Sequence, residues 1–157
     1  MFNRGTSLVI ALTVSVLTSG CASTGTIAGK DAMSRLDQSF TEAVNAANAD
    51  AVAALYARDA VFLPPNTAAI DSPEGIREFW KTMLGSMPGA RLELMADESE
   101  SSGDMGYERG RYRLLGADGS EMDRGKFLQI FRSRNGQWEL TRDMFSSDLP
   151  PQPPPKM

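Results

Sequence analysis

The chain contains no histidine and a single cysteine, Cys21. Those two counts decide much of the chemistry open to it. Without imidazole there is no histidine acid–base catalysis, no Ser-His-Asp triad and almost no route to a zinc site. One cysteine cannot close an internal disulfide. Proton transfer therefore falls to carboxylates, with tyrosines and cations as their charge partners. Two polar groupings have a spacing worth testing. Arg109, Arg111 and Arg113 alternate along one strand-like run, as a ligand-holding face or a solvated one. Asp97, Glu98, Glu100 and Asp104 cluster around a turn but lack the ordered spacing of a calcium loop, and read as a solvated turn. No cofactor and no metal is expected.

The elements that must position such groups follow from periodicity. Leu36, Phe40, Ala43, Val44 and Ala47 recur at helical spacing, so a helix is expected over about 31–47. Asn48-Ala49-Asp50 breaks it, and Asp50 is placed to cap a second short helix that buries Val52, Leu55 and Tyr56. A strand, Ala60-Val61-Phe62-Leu63, stops at Pro64-Pro65, because Pro64 has no N–H. Ser72, Pro73 and Glu74 then open a third helix with the residue types favoured at a helix start. Beyond it the period changes to two. Strands are expected over about 91–100, 105–115, 121–133 and 137–146, with turns at Gly103, Ala117-Asp118-Gly119 and Asn135-Gly136. Helices followed by an antiparallel meander make an α+β domain.

The ends have their own signatures. Met1 to Arg4 and the apolar stretch 8–17 are too short to span a membrane and read as a secretory leader, residues 1–20. "LTSGC" resembles a bacterial lipobox, which implies lipidation of Cys21 and anchoring in the cell envelope. Ala22 after the cysteine implies the outer membrane facing the periplasm, if the organism has two membranes. Residues 21–30 are expected to be the lipidated cysteine and a tether, 31–148 the domain, and 149–157 a proline-rich disordered tail. Losing Arg4 with the leader moves the formal charge from −4 to about −5. With no basic stripe, nucleic acid is not an expected partner.

Three fragments in order carry a family resemblance: "DADAVAALYARDAVFLPPNTAAIDSPEGIREFW", "GYERG" and "GKFLQIFRSRNGQWELTRDMFSSD". Together they resemble the SnoaL-like, or ketosteroid isomerase homologue, domains of the nuclear-transport-factor-two-like superfamily. The resemblance implies a cone: a curved antiparallel sheet with three N-terminal helices, also called a cystatin-like roll. The isomerases use a carboxylate base with a tyrosine and a protonated acid at the enolate oxygen. Carried onto this chain, those positions fall on Pro64, Phe40 and Leu128. None retains the chemistry, so steroid isomerisation by that mechanism is rejected.

The resemblance also implies a pocket between helices and sheet. Expected to line it are Phe40, Tyr56, Phe62 and Trp80, with Lys126, Leu128 and Ile130 on the third meander strand and Thr141, Asp143 and Phe145 on the last. The middle strand has two registers, one presenting Tyr107, Arg109 and Arg111, the other Glu108, Gly110 and Tyr112. Asp143 is the candidate acid or base, or else one half of an internal ion pair. Arg109, Arg111 or Lys126 is the candidate anchor for an anionic or carbonyl-bearing ligand. The leading expectation is a lipid-anchored domain binding a small, partly apolar molecule. The alternatives are a lyase-, isomerase- or hydrolase-type enzyme using Asp143, and a protein-interaction domain. Phe127, Gln129 and Phe131 would then lie on the convex face, where a homodimer would cover them.

Overall fold

The computed structural model describes residues 22–150. The leader, Cys21 and tail residues 151–157 lie outside the described residues. The elements run α1 (Ala22–Asn45), α2 (Ala49–Ala53), β1 (Tyr56–Leu63), α3 (Pro73–Ser86), β2 (Arg91–Ser102), β3 (Met105–Leu115), β4 (Glu121–Arg134) and β5 (Gln137–Ser147). Among the described residues no helix is long and apolar enough to cross a membrane.

Several boundaries follow the local chemistry. Ser72 caps α3, its hydroxyl accepting from Gly75 N at 3.2 Å, with Pro73 in the first turn. Ile76, Trp80 and Leu84, one turn apart, form the buried stripe of α3. β1 ends at Leu63, before Pro64. Phe62 then pairs with Ile70 through two 2.8 Å backbone bonds, which folds the intervening turn back on the strand. Asn135 and Gly136 both have positive φ, as a two-residue hairpin between β4 and β5 requires.

Other boundaries differ from expectation. Asn48, not Asp50, caps α2, its side chain accepting from Ala51 N at 3.0 Å. Tyr56 opens β1 instead of closing the second helix. α1 starts at Ala22, within the segment expected to be a tether. From Gly29 on it lies hard against the sheet, since a side chain at Gly29 would meet Ser101 Oγ at 2.5 Å.

The sheet has five strands in the order β1-β5-β4-β3-β2. β2 to β5 form the expected antiparallel meander, but β1 adds parallel to β5, so the sheet is mixed. No hairpin joins β1 to β5, and nothing local forces them antiparallel. Curvature comes from glycines facing aromatics across β3 and β4. Gly110 sits opposite Phe127, and Gly125 opposite Tyr112. A Cβ at Gly110 would lie 2.8 Å from the Phe127 ring and 2.2 Å from Met95 O; one at Gly125 would lie 2.0 Å from Ser146 O. The missing side chains let the rings fold over bare backbone, which bends the sheet and fixes its register.

Those pairs set the faces, and they correct the expected face of β4. Phe127, Gln129 and Phe131 point inward and are buried, while Lys126 and Leu128 point out and Ile130 is half-buried. Burying Phe127 and Phe131 gains about 1.5–3 kcal/mol each, and Lys126 keeps its ammonium at the exposed face, where it pairs with Asp148. β3 takes the second register, with Glu108 and Tyr112 buried and Tyr107, Arg109 and Arg111 outside. The homodimer argument thus loses the residues it rested on. The concave face packs under α1 and α3 through a ring cluster. Phe62 lies 5.7 Å from Trp80, 5.9 Å from Tyr56 and 6.0 Å from Phe145, and Phe40 lies 5.3 Å from Trp80.

Candidate functional site

Strand pairing lines up one residue from each strand across the concave face. Ser99 on β2 faces Glu108 on β3, then Gln129 on β4, Asp143 on β5 and Phe62 on β1. Four polar side chains in a row, inside an otherwise apolar cone, are costly unless they are hydrogen-bonded. Asp143, Gln129 and Glu108 are only 2–3% exposed.

Asp143 is held by donors. The Tyr56 hydroxyl donates to its Oδ2 at 2.5 Å, and Trp80 Nε1 donates to that hydroxyl at 3.3 Å. The Gln129 amide donates to it as well. Burial lifts the Asp143 carboxyl to about 6, while the Tyr56 and Gln129 bonds pull the other way. Burial also drives the Tyr56 hydroxyl well above its usual range, with the Asp143 charge adding to it. Among the described residues no cation contacts Asp143; the expected partners Arg109, Arg111 and Lys126 bond other carboxylates.

Asp37 on α1 reaches the other end of the row. Burial pushes its carboxyl up to about 9, and its hydrogen bond to Glu108 and the charges of Glu108 and Asp143 push the same way. Asp37 therefore holds its proton to higher pH than an ordinary carboxyl, in a hydrogen bond shared with Glu108. Three buried oxygens along the row have no partner: Ser99 Oγ, Glu108 Oε1 and Gln129 Oε1.

Gln129 and Asp143 form part of the wall of a cavity of about 60 Å³ at the centre of the cone. The rest of that wall is mainly apolar, including Phe40, Trp80, Leu84, Leu92, Tyr112 and Phe145. Met83, Met87, Leu114, Asp123 and Phe145 also border an outer groove of about 610 Å³, so the cavity and the groove are neighbours. The central cavity has room for about one or two waters as it stands. Flexible Met83 and Met87 stand between it and the groove.

The site residues expected from sequence divide cleanly. Phe40, Trp80, Asp143 and Phe145 line the cavity, and Tyr56 and Phe62 stand directly behind it. Thr141 is buried but sits where the β4–β5 register shifts, and its hydroxyl donates to Ile130 O at 2.9 Å. Tyr107, Arg109, Arg111, Lys126 and Leu128 are outside. Arg109 Nε donates to Glu98 at 2.6 Å, Tyr107 donates to the same carboxylate, and Arg111 grips Asp97 through Nε and Nη2. Lys126 pairs with Asp148 at 2.5 Å. Asp97 and Glu98 are thus strand partners of this basic ladder, not a solvated turn. Such exposed pairs add only about 0–1 kcal/mol each. The cations expected to hold a ligand are therefore engaged on the opposite face. Sequence reasoning missed Asp37 and assigned Gln129 to the wrong face. The parity of the glycine–aromatic pairs would have placed Glu108 and Gln129 inward together.

A profile of the SnoaL-like domain matches residues 38–140. No curated protein matches the chain. Among solved structures, a ketosteroid isomerase-like protein from Erwinia carotovora atroseptica is similar at TM-score 0.65 and 21% identity, over 77% of this chain and 97% of that one. Two Nostoc punctiforme structures of unknown function with a cystatin-like fold are also similar. One has TM-score 0.70 at 16% identity, covering 78% of this chain and 79% of its own. The other has TM-score 0.69 at 16% identity, covering 76% and 90%. At these identities the structures speak to the fold alone. The profile spans well over half of the sequence, and the chain belongs to the SnoaL-like domain family.

Proposed function

We propose that the cone binds a small, partly apolar molecule and that the chain is a binding module, not a steroid isomerase. One observation carries this reading. A buried carboxylate and a buried amide, the latter with an unpaired oxygen, sit in the wall of an apolar cavity. A few fixed polar groups in an apolar wall are the usual composition of a small-molecule site. Two isomerase positions support it from the other side: Pro64 and Phe40 lack acid–base groups, while Leu128 points out of the cone and so is not the counterpart of the isomerase acid. Thermal-shift screening of the full chain against small alcohols, amines, carboxylates and sterols tests it. A rise in Tm with at least one class is expected; no response to any class would refute it.

One observation favours a second reading, acid–base catalysis by Asp143. Burial places its carboxyl at about 6, close to where a general acid or base works best. If a bound molecule is turned over and Asp143→Asn leaves the rate unchanged, catalysis by Asp143 is wrong.

We further propose that Cys21 anchors the domain to the envelope by lipid, on the strength of "LTSGC". Cys21→Ala should move the protein into the soluble fraction, and continued membrane association contradicts the anchor. A homodimer through the outer sheet face stays a proposal on new grounds. Leu128 and Met144 are paired there and exposed. A monomeric mass by sedimentation would rule it out.

A further inference from the structure

The cavity wall is one-sided in its hydrogen bonding. Each of the donors traced there has at least one acceptor. Trp80 Nε1 donates to Tyr56, Tyr56 and the Gln129 amide donate to Asp143, and the Tyr112 hydroxyl donates to Asp123. What is left over is an acceptor, Gln129 Oε1. Further along the row, outside the cavity wall, Glu108 Oε1 and the Ser99 hydroxyl, which can donate as well as accept, are also unpaired. The amide cannot simply turn over, because that would set its oxygen against the Asp143 carboxylate.

The charge is one-sided too. Asp143 and Asp123 line the cavity, and no lysine or arginine does. Asp123 is already engaged by Tyr112, Ser147 and the Arg124 backbone N–H. One strand along, Glu108 and, from α1, Asp37 set two more carboxyl groups behind Gln129. Lys30 lies in the groove beside that pair, but its ammonium is 3.1 Å from Glu100. The strand cations Arg109, Arg111, Arg113 and Lys126 bond carboxylates on the outer face. Buried carboxylates are normally matched by a cation or by a full set of donors. Among the described residues Asp143 is matched by donors but by no cation, and Gln129 Oε1 has no donor; both side chains line the same apolar cavity.

We infer that the cone selects an organic ammonium: a protonated primary or secondary amine on an apolar body. This rests on the binding reading above and adds the class of ligand. The ammonium N–H groups bond Gln129 Oε1 and Asp143, which are the strong, charge-assisted kind of hydrogen bond. The ammonium takes the space of the about one or two waters the cavity can hold, and the apolar body extends past Met83, Met87 and Phe145 into the outer groove. The same wall rejects carboxylates, since among its described residues it sets Asp143 and Asp123 against an anion and offers it no lysine or arginine. That reverses the anionic ligand implied when Arg109, Arg111 and Lys126 were expected to face inward.

The test is calorimetric titration of the full chain at pH 7.5 with three probes of equal length: n-hexylamine, 1-hexanol and hexanoate. Hexylamine should bind at least about tenfold more tightly than hexanol, and hexanoate not measurably. Asp143→Asn, nearly isosteric, should bring hexylamine down to the level of hexanol while hexanol changes less than about twofold. Hexanol binding as well as hexylamine, or hexanoate binding best, overturns the ammonium proposal and leaves the cone a binding site. Hexylamine binding unaffected by Asp143→Asn places the amine elsewhere and also overturns it. Silence from all three probes overturns both this proposal and the reading it rests on.

Discussion

At the scale of single residues, the account turns on Asp143 and the groups that hold it. Tyr56 is its strongest partner by geometry, at 2.5 Å, and is itself held by Trp80. Removing the hydroxyl leaves a buried carboxylate one donor short. Tyr56→Phe should lower stability by about 1–3 kcal/mol in denaturant titration. It should also move the Asp143 carboxyl further above 6, because a bond that favours its charged form is gone. Carbon-detected NMR titration of Asp143 reads that shift directly. An unchanged or lowered value would mean that Tyr56 does not stabilise the ionised form. Asp143 was legible in the sequence as the best candidate acid, on the expected inner face of the last strand. Its partners were not. Tyr56 looked helical because Leu55 and Tyr56 continue an apolar helical stripe, and Gln129 sat in a run whose two faces are both half apolar.

At the scale of elements, turn and cap residues spoke clearly and strand faces did not. Ser72-Pro73-Glu74 and Asn135-Gly136 act through their own backbone geometry, so they can be read without knowing the fold. The face of β4 depends on what lies across the sheet. Phe-x-Gln-x-Phe and Lys-x-Leu-x-Ile both alternate acceptably, and only the glycines opposite the aromatics choose between them. Gly110 is the sharpest case, since a Cβ there would lie 2.2 Å from Met95 O, a backbone atom that cannot swing away. Gly110→Ala should therefore cost about 1–3 kcal/mol, in line with overpacking a tight interior. Gly103→Ala is not an equivalent control, because Gly103 has φ +61 and would be strained for a different reason. A Gly110→Ala domain as stable as the wild type would show that β3 and β4 do not approach as closely as described.

At the scale of the whole molecule, the raised carboxyls give a pH signature. Asp37 stands at about 9 and Asp143 at about 6, both up from an ordinary carboxyl value of 3.8. Between 3.8 and those values the folded chain binds more protons than the unfolded chain, so stability falls as pH rises. The loss attributable to Asp143 is complete by about pH 6, and that of Asp37 continues to about pH 9. On the surface Asp59, held at about 2 by its bonds to Arg134, contributes the opposite slope, but only below about pH 4. Tm should therefore drop by about 5 °C or more from pH 5 to pH 9. Asp37→Asn should flatten that slope. A Tm that rises over this range would contradict the buried acidic row. Low pH should also weaken amine binding, as Asp143 takes up a proton beside Tyr56, Gln129, Asp37 and Glu108.

The architecture was largely legible because family wording, caps and hairpins agreed. The pocket was legible only on its aromatic side. Its polar side depends on the pairing of distant strands, and no local pattern encodes that. The central claim is that the cone holds a small, partly apolar molecule. Ala90 borders the central cavity and is only half-buried, so a larger side chain there can fill the space without disturbing the sheet. The most direct test is calorimetric titration of 1-hexanol into the wild-type chain and into Ala90→Phe. The account predicts saturable binding to the wild type and a loss of at least about tenfold in the filled variant. Equal affinity for both chains, or no binding to the wild type, would contradict it.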